Sequence, residues 1–185
     1  HYGKGLSESI LGKCLKNHPR KKYIISTKAG RVGDAFDYSY TGIRESIWNS
    51  LSRLQIKYID IVYIHDIEYA PCLNTIIKES LPALAYLQKQ GYIRHIGISG
   101  LYLSQIDYII DNFPIQYILT YCCYTLINDT LLNYAPKWKY KGISIVQGGV
   151  TSMGLLTPQG PPEWHPASQD IKSICVYVSC VVCPR

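Results

Sequence analysis

Tyr58-Ile59-Asp60-Ile61-Val62-Tyr63-Ile64-His65 is a β-branched run bounded by a polar stretch and ending in an imidazole. It predicts a strand from Tyr58 to Ile64 with apolar residues on both faces, the signature of a strand buried between two layers. Working outward, Ile43, Ile47, Leu51 and Leu54 line one face of a helix predicted over 40–54, with Ser39 or Thr41 as its cap. On the other side, Ile76, Ile77, Leu81, Leu84 and Leu87 mark a helix over 73–90 that closes on Gly91. Pro82 inside it predicts a kink or a later start, because proline has no N–H to give.

The same alternation extends both ways. Upstream lie a strand at Tyr23 to Thr27 and a helix at Leu6 to Leu15, with Ser7 as a possible cap. Downstream come a strand at Tyr92 to Ser99, a helix at Leu103 to Asn112, and a strand at Ile115 to Tyr121. A helix at Asp129 to Lys141, capped by Asn128, and a strand at Ile143 to Val146 follow. Strict strand–helix alternation predicts an α/β fold of parallel strands covered by helices. No strand-to-helix turn carries G-x-G-x-x-G, which disfavours an open dinucleotide-binding sheet. Polar residues at successive strand ends favour a barrel, where every strand delivers its last residue to one mouth. After Gly154 a Pro-rich loop, Leu155 to Pro166, is expected to lie over that mouth, and Ser173 to Arg185 reads as an apolar, Cys-rich tail without helical periodicity.

With 185 residues, 47% hydrophobic and 17% charged, the chain has enough material for one sizeable core. It is short of the roughly 250 residues of a complete eight-stranded barrel, and His1-Tyr2-Gly3 shows neither an initiator Met nor a signal peptide, so an incomplete barrel is expected. No apolar run approaches the roughly 18 residues of a membrane span. The net charge of +6 is spread along the chain and predicts neither a nucleic-acid nor a membrane partner. Seven cysteines, irregularly spaced, point to a reducing, cytoplasmic compartment. Cys180 and Cys183 form a C-x-x-C, but no second pair or nearby histidine completes a zinc site.

Chemistry concentrates at three strand-end residues: Tyr2, Lys28 and His65. A phenol serves as proton donor or acceptor when a cation lowers its pKa from about 10. A lysine on a neighbouring strand can supply that cation, and an imidazole one strand further can orient a carbonyl oxygen. Each has a plainer reading: a packed tyrosine, a solvated lysine, an imidazole satisfied by its neighbour Asp66 or a metal ligand without partners.

In sequence the chain resembles the aldo-keto reductases, in particular their L-galactose and D-arabinose dehydrogenase group. The likeness rests on Tyr2-Gly3 with Leu6-Ser7-Glu8 and Leu11-Gly12-Lys13, on Ile25-Ser26-Thr27-Lys28, and on Ser50-Leu51, Arg53-Leu54-Gln55, Tyr58 and Asp60-Ile61. It continues through His65-Asp66-Ile67-Glu68, Ile96-Gly97-Ile98-Ser99-Gly100-Leu101, Asn128-Asp129, Met153-Gly154-Leu155-Leu156-Thr157 and Gly160-Pro161-Pro162-Glu163-Trp164-His165-Pro166. It covers about residues 1–172, which implies an incomplete barrel domain there and a divergent tail at 173–185.

The resemblance implies a partial (β/α)8 TIM barrel with about strands three to seven present. It implies oxidation of an aldose at C1 to its lactone with NAD or NADP, a small sugar as partner, and a monomer. Tyr2 matches the proton-relay tyrosine, Lys28 the lysine that lowers its pKa, and His65 the orienting histidine; the family's fourth residue, an Asp, would fall before His1. Ser99 matches a contact to the nicotinamide carboxamide, with Gly100 where an Asn is usual. The family's adenosine-phosphate site would lie beyond residue 172. Two further readings are an inactive remnant of such an enzyme, or an incomplete gene model, and a phosphate- or sugar-binding barrel module without redox activity.

Overall fold

A computed structural model describes the backbone of residues 2–182 and the side chains of residues 3–178. Among them, β1 (Ser26–Ala29), β4 (Ile59–Ile64), β5 (Ile93–Ser99), β6 (Tyr117–Tyr121) and β7 (Ser144–Gly148) form one parallel sheet, hydrogen-bonded in the order of the sequence. A doubly wound sheet reverses its strand order; this one never does. The helices connecting its strands are α2 (Tyr40–Leu54), α4 (Leu81–Lys89), α5 (Leu103–Asn112) and the short α6 (Ala135–Tyr140).

The two faces of the sheet differ. Val62, Ile64, Ile96, Ile98 and Ile118 alternate onto one face and are sealed in a core with Ile43, Ile47, Leu84, Leu87, Ile106, Ile109 and Trp138. Fully burying each such side chain contributes about 1.5–3 kcal/mol, so the helix layer on this face supplies most of the sheet's stability. The opposite, concave face carries Ile61, Tyr63, His95, Tyr117, Leu119 and Val146, mostly half-buried, with Val146 at 40% exposure. Gly97 lies among them because a Cβ there would stand 2.7 Å from the ring of Tyr63. This one-sided cover, together with the strand order, makes the sheet a segment of a (β/α) barrel wall.

Local sequence explains where the helices begin and end. The Ser39 hydroxyl accepts from Gly42 N–H at 3.1 Å and caps α2, while Gln55 at φ +55° ends it. A three-residue helical turn, α3 (Leu73–Thr75), and a π-helical stretch, Ile76–Ser80, precede α4, whose first turn holds Pro82. The ring of Pro82 cannot bond the carbonyl four residues back, so the helix widens there, and it closes on Gly91 at φ +82°.

Several expectations are corrected. Helix α1 (Leu6–Leu15) is entered from Gly5 at φ +92° without a side-chain cap, so Ser7 does not cap it. The first strand starts at Ser26 rather than Tyr23, leaving Ile24 76% exposed, and Lys28 is its penultimate residue. A small hairpin, β2 (Arg31–Val32) and β3 (Ala35–Phe36), follows it. The helix expected over 129–141 splits into a 3-10 turn, Thr130–Asn133, and α6, since Pro136 cannot carry the ladder across. The tail is a helix, α7 (Gln169–Val182), whose spacing begins with Ile171, Ile174 and Val178, partly upstream of position 173. Cys183 and the side chain of Cys180 lie outside the described residues.

Candidate active site

His65 leaves the end of β4 and donates its N–H to the carbonyl of Ala29 at 2.8 Å, which ties the ends of β1 and β4 together. Lys28 pairs in register with Tyr63, placing its side chain on the concave face below the imidazole. The side chain of His65 is buried, and this burial, followed by the nearby cations Lys28 and Arg31, lowers its pKa from 6.5 to about 3. The imidazole is therefore neutral at physiological pH. Its Nε2 lies 3.3 Å from Asp66 Oδ2, and because Nδ1 is buried without a partner we assign the proton to Nε2. This contact is the approach of a neutral ring to a carboxylate, neither an ion pair nor a hydrogen bond, and it leaves the ring N–H able to meet a group in the mouth.

Asp66 reaches that position through a backbone at φ +46°, which L side chains rarely adopt. Its N–H bonds the Ser99 hydroxyl at 3.0 Å, and the Tyr38 hydroxyl lies 2.8 and 2.7 Å from the carbonyls of His65 and Asp66. Burial and the charge of Glu68 raise the Asp66 pKa, against Lys28 and the Ser99 hydroxyl. Ser99 is fully buried; its hydroxyl also donates toward Ile64 O at 3.2 Å, so here it braces the β4–β5 end of the mouth.

One turn further, Glu68 Oε1 accepts from Tyr121 Oη at 3.0 Å and Leu101 N–H at 3.2 Å. Its Oε2 is buried without a partner, beside Gly100, where a Cβ would stand 2.9 Å away. Burial first, then the Glu68 and Asp66 charges, push the Tyr121 phenol well above its ordinary range. The signal for Asp66 and Glu68 was present in the His65-Asp66-Ile67-Glu68 run, whereas Tyr38 and Tyr121 had none beyond being tyrosines.

Tyr2 opens a 3-10 turn, Tyr2–Gly5, ahead of α1; its side chain lies outside the described residues. Glu8 of α1 is buried between Thr27 of β1 and Arg53 of α2, whose Nε donates to it at 2.7 Å. Burial pushes the Glu8 pKa up, but Thr27 and Arg53 outweigh it and hold the carboxylate below its usual value. This clamp brings the Tyr2–Gly5 turn to Lys28: Lys4, Gly5, Lys28, Arg31 and Arg53 border one cavity of about 170 Å³. Beyond β7, His165 is buried and its Nε2 meets Ser152 O at 3.0 Å, while Ala167 N–H bonds its Nδ1 at 3.1 Å. The Pro-rich loop is thereby pinned to the turn that leaves the C-terminal end of β7.

The chain and its run of parallel strands in sequence order match known proteins. A solved structure of an aldo-keto reductase from Bacillus halodurans, in its holo form, superposes with a TM-score of 0.76 at 29% identity, covering 91% of this chain and 56% of that one. The L-galactose dehydrogenase of Arabidopsis thaliana is 47% identical over 178 residues, 94% of this chain and 56% of that protein. The D-arabinose 1-dehydrogenase of Saccharomyces cerevisiae is 33% identical over 183 residues, 91% and 54% respectively. The chain thus spans about half the length of the curated relatives it matches. The sequence profile of the Aldo/keto reductase family matches residues 1–175, which include the whole five-stranded sheet, and the chain belongs to that family.

Proposed function

We propose that this chain carries catalytic residues of an NAD(P)-dependent aldose 1-dehydrogenase that oxidises a sugar of the L-galactose or D-arabinose class at C1 to its lactone. The observation that carries the reading is the coupling of Lys28 and His65 at the ends of adjacent strands, close enough for the lysine's charge to depress the imidazole's pKa. The names of the two sugar dehydrogenases cited above support the substrate class.

In this reading Tyr2 accepts the C1 hydroxyl proton, and the Lys28 cation favours the phenolate that does so. His65, held neutral, orients the reacting oxygen through its single N–H. A nicotinamide, when bound, supplies the hydride acceptor. The residues present suit its carboxamide: Glu68 Oε2 is a buried acceptor without a partner, and the Ser99 hydroxyl stands at the adjoining strand end. NAD and NADP are both compatible with these residues.

A cytoplasmic, monomeric protein is part of the same reading; the free thiols of Cys14, Cys72, Cys122, Cys123 and Cys175 support the reducing compartment. No helix among the described residues is long and apolar enough to cross a membrane.

The test is a panel of L-galactose, L-fucose and D-arabinose with NAD and with NADP, followed by the absorbance of the reduced nicotinamide and by lactone detection. Saturable oxidation of at least one sugar is expected. A protein that turns over only non-sugar aldehydes refutes the sugar assignment.

A further inference from the structure

Asp66 places a carboxylate beside the imidazole at a measurable cost in backbone conformation. A non-glycine residue at φ +46° is held against its own preference, and three hydrogen bonds from two neighbours hold it: Ser99 Oγ on its N–H, and Tyr38 Oη against its own carbonyl and that of His65. The result is Oδ2 at 3.3 Å from His65 Nε2 and Oδ1 at 3.4 Å from Ser99 Oγ, with the side chain 16% exposed and so open to the mouth. Oδ2 has a lone pair left after the imidazole contact, and an ionised carboxylate only accepts. A bare carbonyl substrate brings no donor to satisfy it. An aldose does, because the carbon next to C1 carries a hydroxyl.

Nε2 and Oδ2 thus form a donor and an acceptor side by side, spaced so that the oxygens on two adjacent sugar carbons can engage one each. We propose that Asp66 is a specificity-determining residue: its Oδ2 accepts a hydrogen bond from the C2 hydroxyl of the substrate while His65 orients the oxygen at C1. The proposal rests on the dehydrogenase reading above and adds to it a preference for 2-hydroxy aldoses over their deoxy counterparts. A hydrogen bond from a neutral donor to a charged acceptor predicts a preference of about 10- to 100-fold, since loss of the hydroxyl leaves the carboxylate unpaired in a partly buried site.

The experiment compares kcat/KM for L-galactose and 2-deoxy-L-galactose in the wild-type protein and in Asp66→Asn and Asp66→Glu. The wild type should prefer the parent sugar by at least about tenfold; Asp66→Asn should bring that ratio to within about threefold, and Asp66→Glu should keep most of it. Equal rates on the two sugars in the wild type overturn the proposal without any variant. So does a ratio in Asp66→Asn that matches the wild type, even if its overall activity is low. If Asp66→Asn does not fold, loss of the preference in Asp66→Glu overturns the proposal and its retention supports it. A wild-type protein that oxidises neither sugar instead brings down the dehydrogenase reading itself, and the two failures are thereby distinct.

Discussion

The two ends of the sheet treat charge in opposite ways. At the N-terminal end, both oxygens of Asp60 are occupied: Arg20 and the N–H of Ile25 at 2.9 Å share Oδ2, and Arg94 holds Oδ1 at 3.0 Å. Arg20 and Arg94 also sandwich the ring of Tyr58 at 4.0 and 4.1 Å. Burial pushes the Asp60 pKa up, but the Ile25 N–H and the two guanidinium groups outweigh it and hold it low. At the C-terminal end, His65 Nδ1 and Glu68 Oε2 are buried without partners, and Asp66 and Cys122 hold positive φ. What separates the two ends is the carboxylate: Asp60 is paired at both oxygens where the sheet has to be held, although Arg20 Nε there is buried without a partner, whereas Glu68 keeps one oxygen unpaired at the mouth.

This contrast can be broken from either side. The largest stability effect is expected from Asp60→Ala, which leaves the Arg20 guanidinium without its carboxylate while Arg94, half exposed, turns to water: a loss of about 1.5–3 kcal/mol in a urea melt, with kcat per folded molecule unchanged. A milder cost would mean that the N-terminal clasp contributes little and the contrast is superficial.

Acid probes the mouth. The unfolded chain binds a proton at a histidine near 6.5, whereas folded His65 does so only near 3. Its neutral form is fully accommodated above that window, and stability is lost as pH falls through it, by at most about 1.4 kcal/mol per pH unit. The thermal midpoint should therefore drop between about pH 6.5 and 5, and His65→Gln should flatten that slope. A slope identical in the variant would show that burial does not keep the imidazole neutral.

Tyr38→Phe removes the hydroxyl that spans the His65 and Asp66 carbonyls and should cost about 1 kcal/mol. It should also raise KM for the sugar more than it lowers kcat, because it loosens the Asp66 turn; an unchanged KM would separate the turn from substrate binding. The smallest effect belongs to Ser39→Ala at the α2 cap, about 0.5–1 kcal/mol in stability with no kinetic change.

Much of this architecture is legible in the sequence where a single physical signal dominates. Helices α2 and α5 follow from apolar spacing and match their expected limits, and the strands are recognisable as β-branched runs. Competing signals blur the rest. Pro136 sits inside an otherwise helical stretch, the 31–36 hairpin is too short to show a period, and α7 begins before the window that was read as aperiodic. Lys28 and His65 are visible because strand ends point to a mouth. The Asp66 turn is not, since a positive φ at a non-glycine residue leaves no mark in sequence, and the Glu68–Tyr121 bond joins residues 53 apart. Ser99 is legible in place, whereas the bond of its hydroxyl to the Asp66 backbone leaves no mark in sequence.

The account stands on Lys28 acting at the strand ends as a cation for proton transfer rather than as a support of the fold. The direct measurement is kcat/KM for NAD(P)-linked oxidation of L-galactose by Lys28→Met, alongside its thermal midpoint. The expected result is a loss of roughly 10²–10⁴-fold in rate with a midpoint close to the wild type. A variant that stays within a few-fold of wild-type activity, or that loses activity only by unfolding, would contradict it.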